Sequence, residues 1–305
     1  MIHAAALMLL AAVLLLLLAP ALAVAQSLDP RAYSNLPVGL NFLLAGYAHS
    51  QGEIAIEGLP LQDGRTRVHA LPVGYVRSLD VFGSSGNVAL LLPLVDLTAT
   101  GSLDGVTQAR REVSGLADPT LRLAVNFYGA PALRPAEFAA WRQDLILGAS
   151  LALTAPLGQY DEDRLINIGS NRWSIKPELG MSQAFGQWTI ELAAGATWFT
   201  RNEEFFNGNT RSQEPIYSAQ MHLTRHLGRG RWGAFSATYY DGGRNSINGV
   251  EREQKLGGTR VGLTVSLPLD RQNSIRLSAH GGLYARTGSD FKGLGAIWQH
   301  LWADH

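Results

Sequence analysis

Cysteine is absent from the 305 residues. That removes disulfides, thiolate metal sites, iron–sulfur clusters and a cysteine nucleophile together. Neither sign of charge dominates: 25 Lys and Arg stand against 25 Asp and Glu, so the chain lacks the basic footprint a nucleic-acid partner requires. No Gly-rich phosphate loop followed by Lys and Ser or Thr occurs, and nothing in the sequence implies a cofactor. Beyond Gln26 there is no run of 18 apolar residues, which excludes helical membrane spans from the mature chain.

The one long apolar run lies at the start. Ala4 to Ala19 is unbroken apolar sequence, followed by Pro20 and by the small-x-small site Ala23-Val24-Ala25. This order predicts a signal peptide over residues 1–25, cleaved after Ala25. The run falls short of the ~20 residues needed to cross a bilayer as a helix, and no cysteine follows for lipid attachment. Residues 26–305 are expected to form a single domain.

In place of apolar runs the mature chain has alternation. Trp188, Ile190, Leu192, Ala194, Ala196 and Trp198 recur at period 2, as do Val261, Leu263, Val265 and Leu267. Such spacing marks strands with one apolar face. Twelve segments follow this pattern, over 37–48, 67–80, 87–98, 118–128, 143–155, 173–185, 187–200, 215–227, 231–240, 258–268, 273–286 and 291–302. Connections after odd-numbered segments are long and polar: 50–66, 99–117, 156–172, 201–214 and 241–257. Those after even-numbered segments are short turns, except for 129–142, whose prolines leave room for a helical turn.

An even strand count, segments of about ten residues and loops alternating in length predict an all-β fold, a transmembrane antiparallel β-barrel of the outer-membrane type with short periplasmic turns and long outer loops. Tyr47, Tyr75, Tyr128, Trp173, Trp188, Trp198, Tyr217, Trp232, Tyr239, Trp298 and Trp302 fall near strand ends, where aromatic girdles sit. If the apolar set faces lipid, the opposite set faces the lumen. The lumen-lining candidates are Arg122, Lys176, Glu178, Glu191, His222, Arg260, Arg276, His280 and Arg286, with Arg67, His69 and Arg77 on the second strand. Cations outnumber carboxylates in this set, which either favours anionic solutes or feeds a network of paired inward charges.

Candidate chemistry is sparse. His222 and His226 sit four apart, which on a strand is ~13 Å and too far for a shared metal. His49-Ser50, and Ser278 with His280, are the Ser and His combinations open to a lipid hydrolase, though no motif singles out one serine. Asp161-Glu162-Asp163 is an acidic loop cluster, read as a solvated or lipopolysaccharide-bridging loop ahead of a calcium site.

The segments DPRAYSNLPVGLNFLLAGYAHSQG (29–52), GLADPTLRLAVNFYGAPAL (115–133), PLGQYDEDRLINIGSNRWSIKPELG (156–180) and RWGAFSATYYDGGRNSINGV (231–250) resemble an outer-membrane transporter family associated with the MetA pathway of phenol degradation. The resemblance implies a barrel linked to uptake of aromatic or other hydrophobic compounds, and it brings no catalytic residues. In the matched segments Asn35-Leu36-Pro37 and Ala117-Asp118-Pro119 read as strand-entry turns, and Asn167–Asn171 as a tight loop return. The expected function is therefore passive diffusion of small hydrophobic or aromatic molecules, without enzymatic activity. A structural barrel with an occluded lumen is the first alternative and a lipid-modifying enzyme the second. The expected partners are outer-membrane lipid, lipopolysaccharide, small solutes and the barrel assembly machinery.

Overall fold

The computed structural model describes residues 29–53, 61–103, 107–252, 255–285 and 291–304. The expected signal peptide, residues 1–25, and Arg286 therefore lie outside the described residues. The chain forms a closed, twelve-stranded antiparallel barrel. In order come β1 (Leu40–Glu53), β2 (Leu61–Val81) and β3 (Ser84–Leu103), then a fourth position shared by β4 (Thr107–Leu116) and β5 (Thr120–Tyr128). β6 (Leu145–Thr154), β7 (Ser174–Phe185) and β8 (Trp188–Phe199) continue the wall. After the short strands β9 (Asn202–Phe205) and β10 (Asn209–Gln213) come β11 (Ile216–Gly228) and β12 (Arg231–Gly242). A second short pair, β13 (Asn245–Ile247) and β14 (Val250–Glu251), precedes β15 (Leu256–Pro268), β16 (Asn273–Ala285) and β17 (Lys292–Ala303). The barrel closes where β1 pairs with β17, from Leu40 opposite Ala303 to Gln51 opposite Lys292.

Among the described residues β1–β3, β5–β8, β11, β12 and β15–β17 are each paired on both sides, as a hydrocarbon surround requires, while β4, in the upper half of the fourth position, pairs with β3 alone. Period 2 then sets the two faces. Outward positions carry Leu71, Val73, Leu90, Leu92, Leu94, Leu121, Leu123, Leu151, Leu153, Leu192, Leu223, Leu263, Val265, Leu277 and Leu294, all exposed. Inward positions carry buried polar residues, among them Ser150, Glu178, Ser182, Glu191, His222, Thr224, Ser236, Thr238 and Arg260. This is the inverse of a soluble protein. Tight turns close the periplasmic end, as at Phe82-Gly83, where both residues have positive φ (52° and 82°) as the right-handed strand twist demands. The prolines of the 129–144 connection admit one helical turn, α1 (Pro135–Phe138), with Pro135 at its start and the Glu137 carboxylate accepting the Arg134 backbone N–H at 2.8 Å.

Several expectations need correction. The outer connections are not simple loops. β2 and β3 run on for 21 and 20 residues, and β4 pairs with the upper half of β3 from Leu94–Leu116 to Leu103–Thr107. Much of 61–66 and 99–116 is thus a tall ribbon above the barrel. Outer segments 201–214 and 241–257 contribute β9, β10, β13 and β14 to a separate four-stranded sheet. Arg67, His69 and Arg77 do not face the lumen: they share the face of Leu71, Val73 and Tyr75 along an unbroken register. Trp232 leaves the girdle and points inward, 5% exposed, while Tyr47, Tyr75, Tyr128, Trp173, Trp188, Trp198, Tyr217, Tyr239 and Trp298 are exposed on the outside.

Asp118 explains the Ala-Asp-Pro motif better than a strand entry does. Its carboxylate accepts Gly158 N (2.9 Å), Ser170 N (2.8 Å) and Ser170 Oγ (2.5 Å), tying the β6–β7 loop to the seam between β4 and β5. Arg111, an inward residue of β4, donates to Ile166 O and pairs with Asp161 at 3.8 Å. That loop therefore folds over the inner face of the tall ribbon.

Candidate functional site

The residues ahead of β1 enter the barrel. Asp29–Gly39 has no periodicity and forms no strand, yet Tyr33 in its middle is 1% exposed. The Tyr33 hydroxyl donates to Glu178 Oε1 at 3.0 Å and lies 3.3 Å from Ser150 Oγ. Its ring rests where side chains are missing: a Cβ on Gly180 would lie 2.1 Å from the ring, and one on Gly148 would lie 2.7 Å away. Two glycines on adjacent strands make the slot that holds the plug.

On either side of Tyr33 the plug is held by charge. Arg31 N donates to Glu191 Oε2 at 2.5 Å and Ser34 Oγ to Glu191 Oε1 at 3.4 Å. Arg276 Nη1 pairs with Asp29 at 3.0 Å. The Arg31 and Arg276 guanidiniums each stand 5.5 Å from the Trp232 ring, and Arg122 stands 5.7 Å from that of Tyr33, all within cation–π range. Asn126 Nδ2 donates to Ser34 O, and Asn35 Nδ2 to Pro131 O, fixing the far end of the plug to the periplasmic rim. Asn35 thus belongs to the plug rather than to a strand-entry turn.

The sequence candidates fall around this segment. Glu178 is the hub: besides Tyr33 it binds Lys176 Nζ at 2.7 Å and Gln220 Nε2 at 2.9 Å. Arg122, Lys176, Glu178, Glu191 and His222 line one cavity together. Arg260 is 7% exposed on the inward face of β15, and His280 lies inward on β16 against the Gly293 backbone; neither lines that cavity.

The cavity, of about 300 Å³, lies on the outer side of the plug. A second cavity of about 350 Å³, on the periplasmic side, is bounded by Arg31, Ser34, Trp232, Ser266, Arg276 and Gln299. Both are bordered by Asp29, Ala32, Leu44, Val76, Ala89 and Arg122. The plug thus divides the lumen, and the wall running past it is apolar: Leu44 from β1, Val76 from β2 and Ala89 from β3, with Gly74 and Leu91 above. Sequence reasoning missed both the plug and this wall. The available signal was the interval between Ala25 and the first alternating segment, with a lone tyrosine among small polar residues.

The other candidates separate. His222 Nδ1 is 2.8 Å from Ser236 Oγ and His226 Nε2 is 3.1 Å from Thr189 Oγ1, so each histidine has its own partner. His49 faces outward and Ser50 inward, as neighbours on a strand must. Ser278 and His280 each fill the space beside a glycine of β17, Gly295 and Gly293. Asp161 is spent on loop structure: its side chain accepts Asp163 N and its carbonyl accepts Asn167 Nδ2. Among the described residues no three His, Asp or Glu side chains converge as a metal site.

A family model described as "Putative MetA-pathway of phenol degradation" matches residues 59–299. Among solved structures, the COG4313 outer membrane channel from Pseudomonas putida F1 is similar over 90% of this chain and 100% of its own, at 22% identity and a TM-score of 0.77. The transport unit of the autotransporter AIDA-I from Escherichia coli is similar over 92% and 93%, at 9% identity and a TM-score of 0.52. No curated protein matches the sequence.

Proposed function

This chain belongs to the family described as "Putative MetA-pathway of phenol degradation", and we propose that it is an outer-membrane channel for small hydrophobic or aromatic molecules. In this reading the signal peptide directs export, the barrel assembly machinery inserts the chain into the outer membrane of a Gram-negative cell, and solute moves by passive diffusion without chemical change.

One observation carries the reading. The two cavities separated by the plug share an apolar strip of Leu44, Val76 and Ala89, with a single cation, Arg122, beside Ala89 on the next strand. A water-filled pore for hydrophilic solutes needs polar groups around its whole circumference. Here the polar half is committed: Lys176, Glu178, Glu191 and Gln220 to the plug and to one another, and His222 to Ser236, while the strip shared by both cavities is hydrocarbon. An apolar solute slides along that wall at little desolvation cost, whereas a sugar there would leave its hydroxyls unpaired. The Glu178 and Glu191 anchors favour a second reading, a structural barrel kept closed by its own N-terminal segment.

Uptake separates the two. Cells expressing the chain are expected to accumulate the hydrophobic fluorophore N-phenyl-1-naphthylamine faster than cells without it, with disaccharide entry unchanged. No acceleration for the fluorophore leaves the closed structural barrel.

A further inference from the structure

A basic concavity lies outside the barrel, above its lipid-facing band. On the outward face of β2, the apolar series ending at Leu71 is followed by His69, Arg67 and Arg65 at alternate positions. Across the ladders their partners are His49, Gln51 and Glu53 on β1, and Asp96, Thr98 and Thr100 on β3. Thr100 in turn opposes Arg110 of β4, and Gln51 opposes Lys292 of β17.

Above the level of His49, His69 and Asp96, the remaining positions line a cavity of about 600 Å³ that carries four cations, Arg65, Arg67, Arg110 and Lys292, against one carboxylate, Glu53. Arg110 is held by Glu112. Among the described residues, Arg65, Arg67 and Lys292 make no ion pair. Like charges gathered on one concave surface repel unless an anion sits among them.

Depth identifies the anion. Arg67 is four residues beyond Leu71, ~13 Å at ~3.3 Å per residue. Below it on the same face lie Tyr47, Leu71, Leu94 and Leu294, all exposed to the surround. The basic concavity therefore sits where the hydrocarbon ends and headgroups begin, continuous with the surface that acyl chains cover.

We propose that this face binds a phosphorylated glycolipid of the outer leaflet. Its phosphates are held by Arg65, Arg67 and Lys292, with Arg110 beside them, and its acyl chains lie on Leu71, Leu94 and Leu294. Guanidinium forks suit phosphate oxygens through paired N–H donors. The proposal is independent of what passes through the lumen.

The test is lipid binding to the detergent-solubilised full-length barrel, read by native mass spectrometry with three probes: bisphosphorylated lipid A, its dephosphorylated form and inorganic phosphate. R65Q/R67Q/K292Q is expected to bind phosphorylated lipid A at least about tenfold more weakly than wild type, as loss of three charge-assisted contacts requires. Arg225→Gln, on the outer face at the periplasmic end, is expected to bind as wild type does. Dephosphorylated lipid A should bind weakly to all three, and millimolar phosphate should not displace the lipid. Heat-dependent gel migration reports folding; should the triple variant misfold, Lys292→Gln alone is expected to weaken binding by about threefold. Unchanged affinity in R65Q/R67Q/K292Q or in Lys292→Gln, equal binding of dephosphorylated lipid A, or displacement by phosphate as at a soluble-anion site would each overturn the proposal.

Discussion

Tyr33 and Glu178, 145 positions apart in sequence, meet inside the barrel, with the phenol donating to the carboxylate at 3.0 Å. Glu178 also binds Lys176 and Gln220, so this contact joins the N-terminal plug to a charge network that the wall already satisfies. A hydrogen bond to an ionised group contributes ~1.5–3 kcal/mol. Tyr33→Phe should loosen the plug without emptying its slot, and Tyr33→Ala should do both. In planar bilayers the expected order of ion conductance is wild type, then Tyr33→Phe, then Tyr33→Ala, the last several-fold above the first.

The same slot can be tested from the wall. A Cβ at Gly180 would sit 2.1 Å from the Tyr33 ring, a distance no packing adjustment short of moving the ring accommodates. Gly180→Val is expected to raise conductance as Tyr33→Ala does while leaving the heat-dependent gel shift intact, because the added side chain projects into the lumen and not into a ladder. Conductance unchanged from wild type would mean that the ring is not held there.

Asp118 organises the outer loop with three accepted hydrogen bonds. Asp118→Ala strands two backbone N–H groups and a hydroxyl, each worth ~1 kcal/mol to the loop. Protease added outside cells is expected to cut within 156–172 in the variant much faster than in wild type, with the barrel core still resistant.

Asp270, in the periplasmic turn between β15 and β16, accepts Gln272 N, Asn273 N and Asn273 Nδ2. Those bonds, the Gln272 amide foremost, hold its pKa below the ordinary value. A depressed folded-state pKa means the stabilisation is present above the unfolded value, ~3.9, and is lost as pH falls through the folded one. Urea unfolding in detergent, followed from pH 6 to pH 2, should show this loss in wild type and not in Asp270→Asn. Parallel pH profiles for the two would contradict it.

How much of this was legible depended on where the surrounding medium enforces a pattern. β8 and β15 are immersed in lipid on one face, so Trp188–Trp198 and Val261–Leu267 had to alternate, and their ends fall within two residues of expectation. The tall ribbon stands above the lipid. With no apolar face imposed there, Arg65-Thr66 and Arg110–Ser114 read as loop although they are paired strand. The same cause misplaced Arg67 and His69: polarity signals the lumen only at the depth of the hydrocarbon, and both lie above it. Most of the inward set on β5–β16 was legible, because at that depth Arg122, Lys176, Glu191 and His222 have nowhere else to point. The plug was not legible, because a segment held by Gly148, Gly180 and two carboxylates needs no periodicity of its own.

If solute passes along the apolar wall beside the plug, it must pass Ala89, which borders both cavities. Ala89→Asp puts a carboxylate on that strip, while Val88→Thr alters the neighbouring outward face as a control. The measurement is the initial rate of N-phenyl-1-naphthylamine uptake by cells with matched amounts of folded barrel. A fall of about tenfold is expected for Ala89→Asp, because a carboxylate on the apolar path costs a passing hydrocarbon ~1.4 kcal/mol even with Arg122 beside it on the next strand, and no change for Val88→Thr. Equal uptake by Ala89→Asp and wild type would contradict that path.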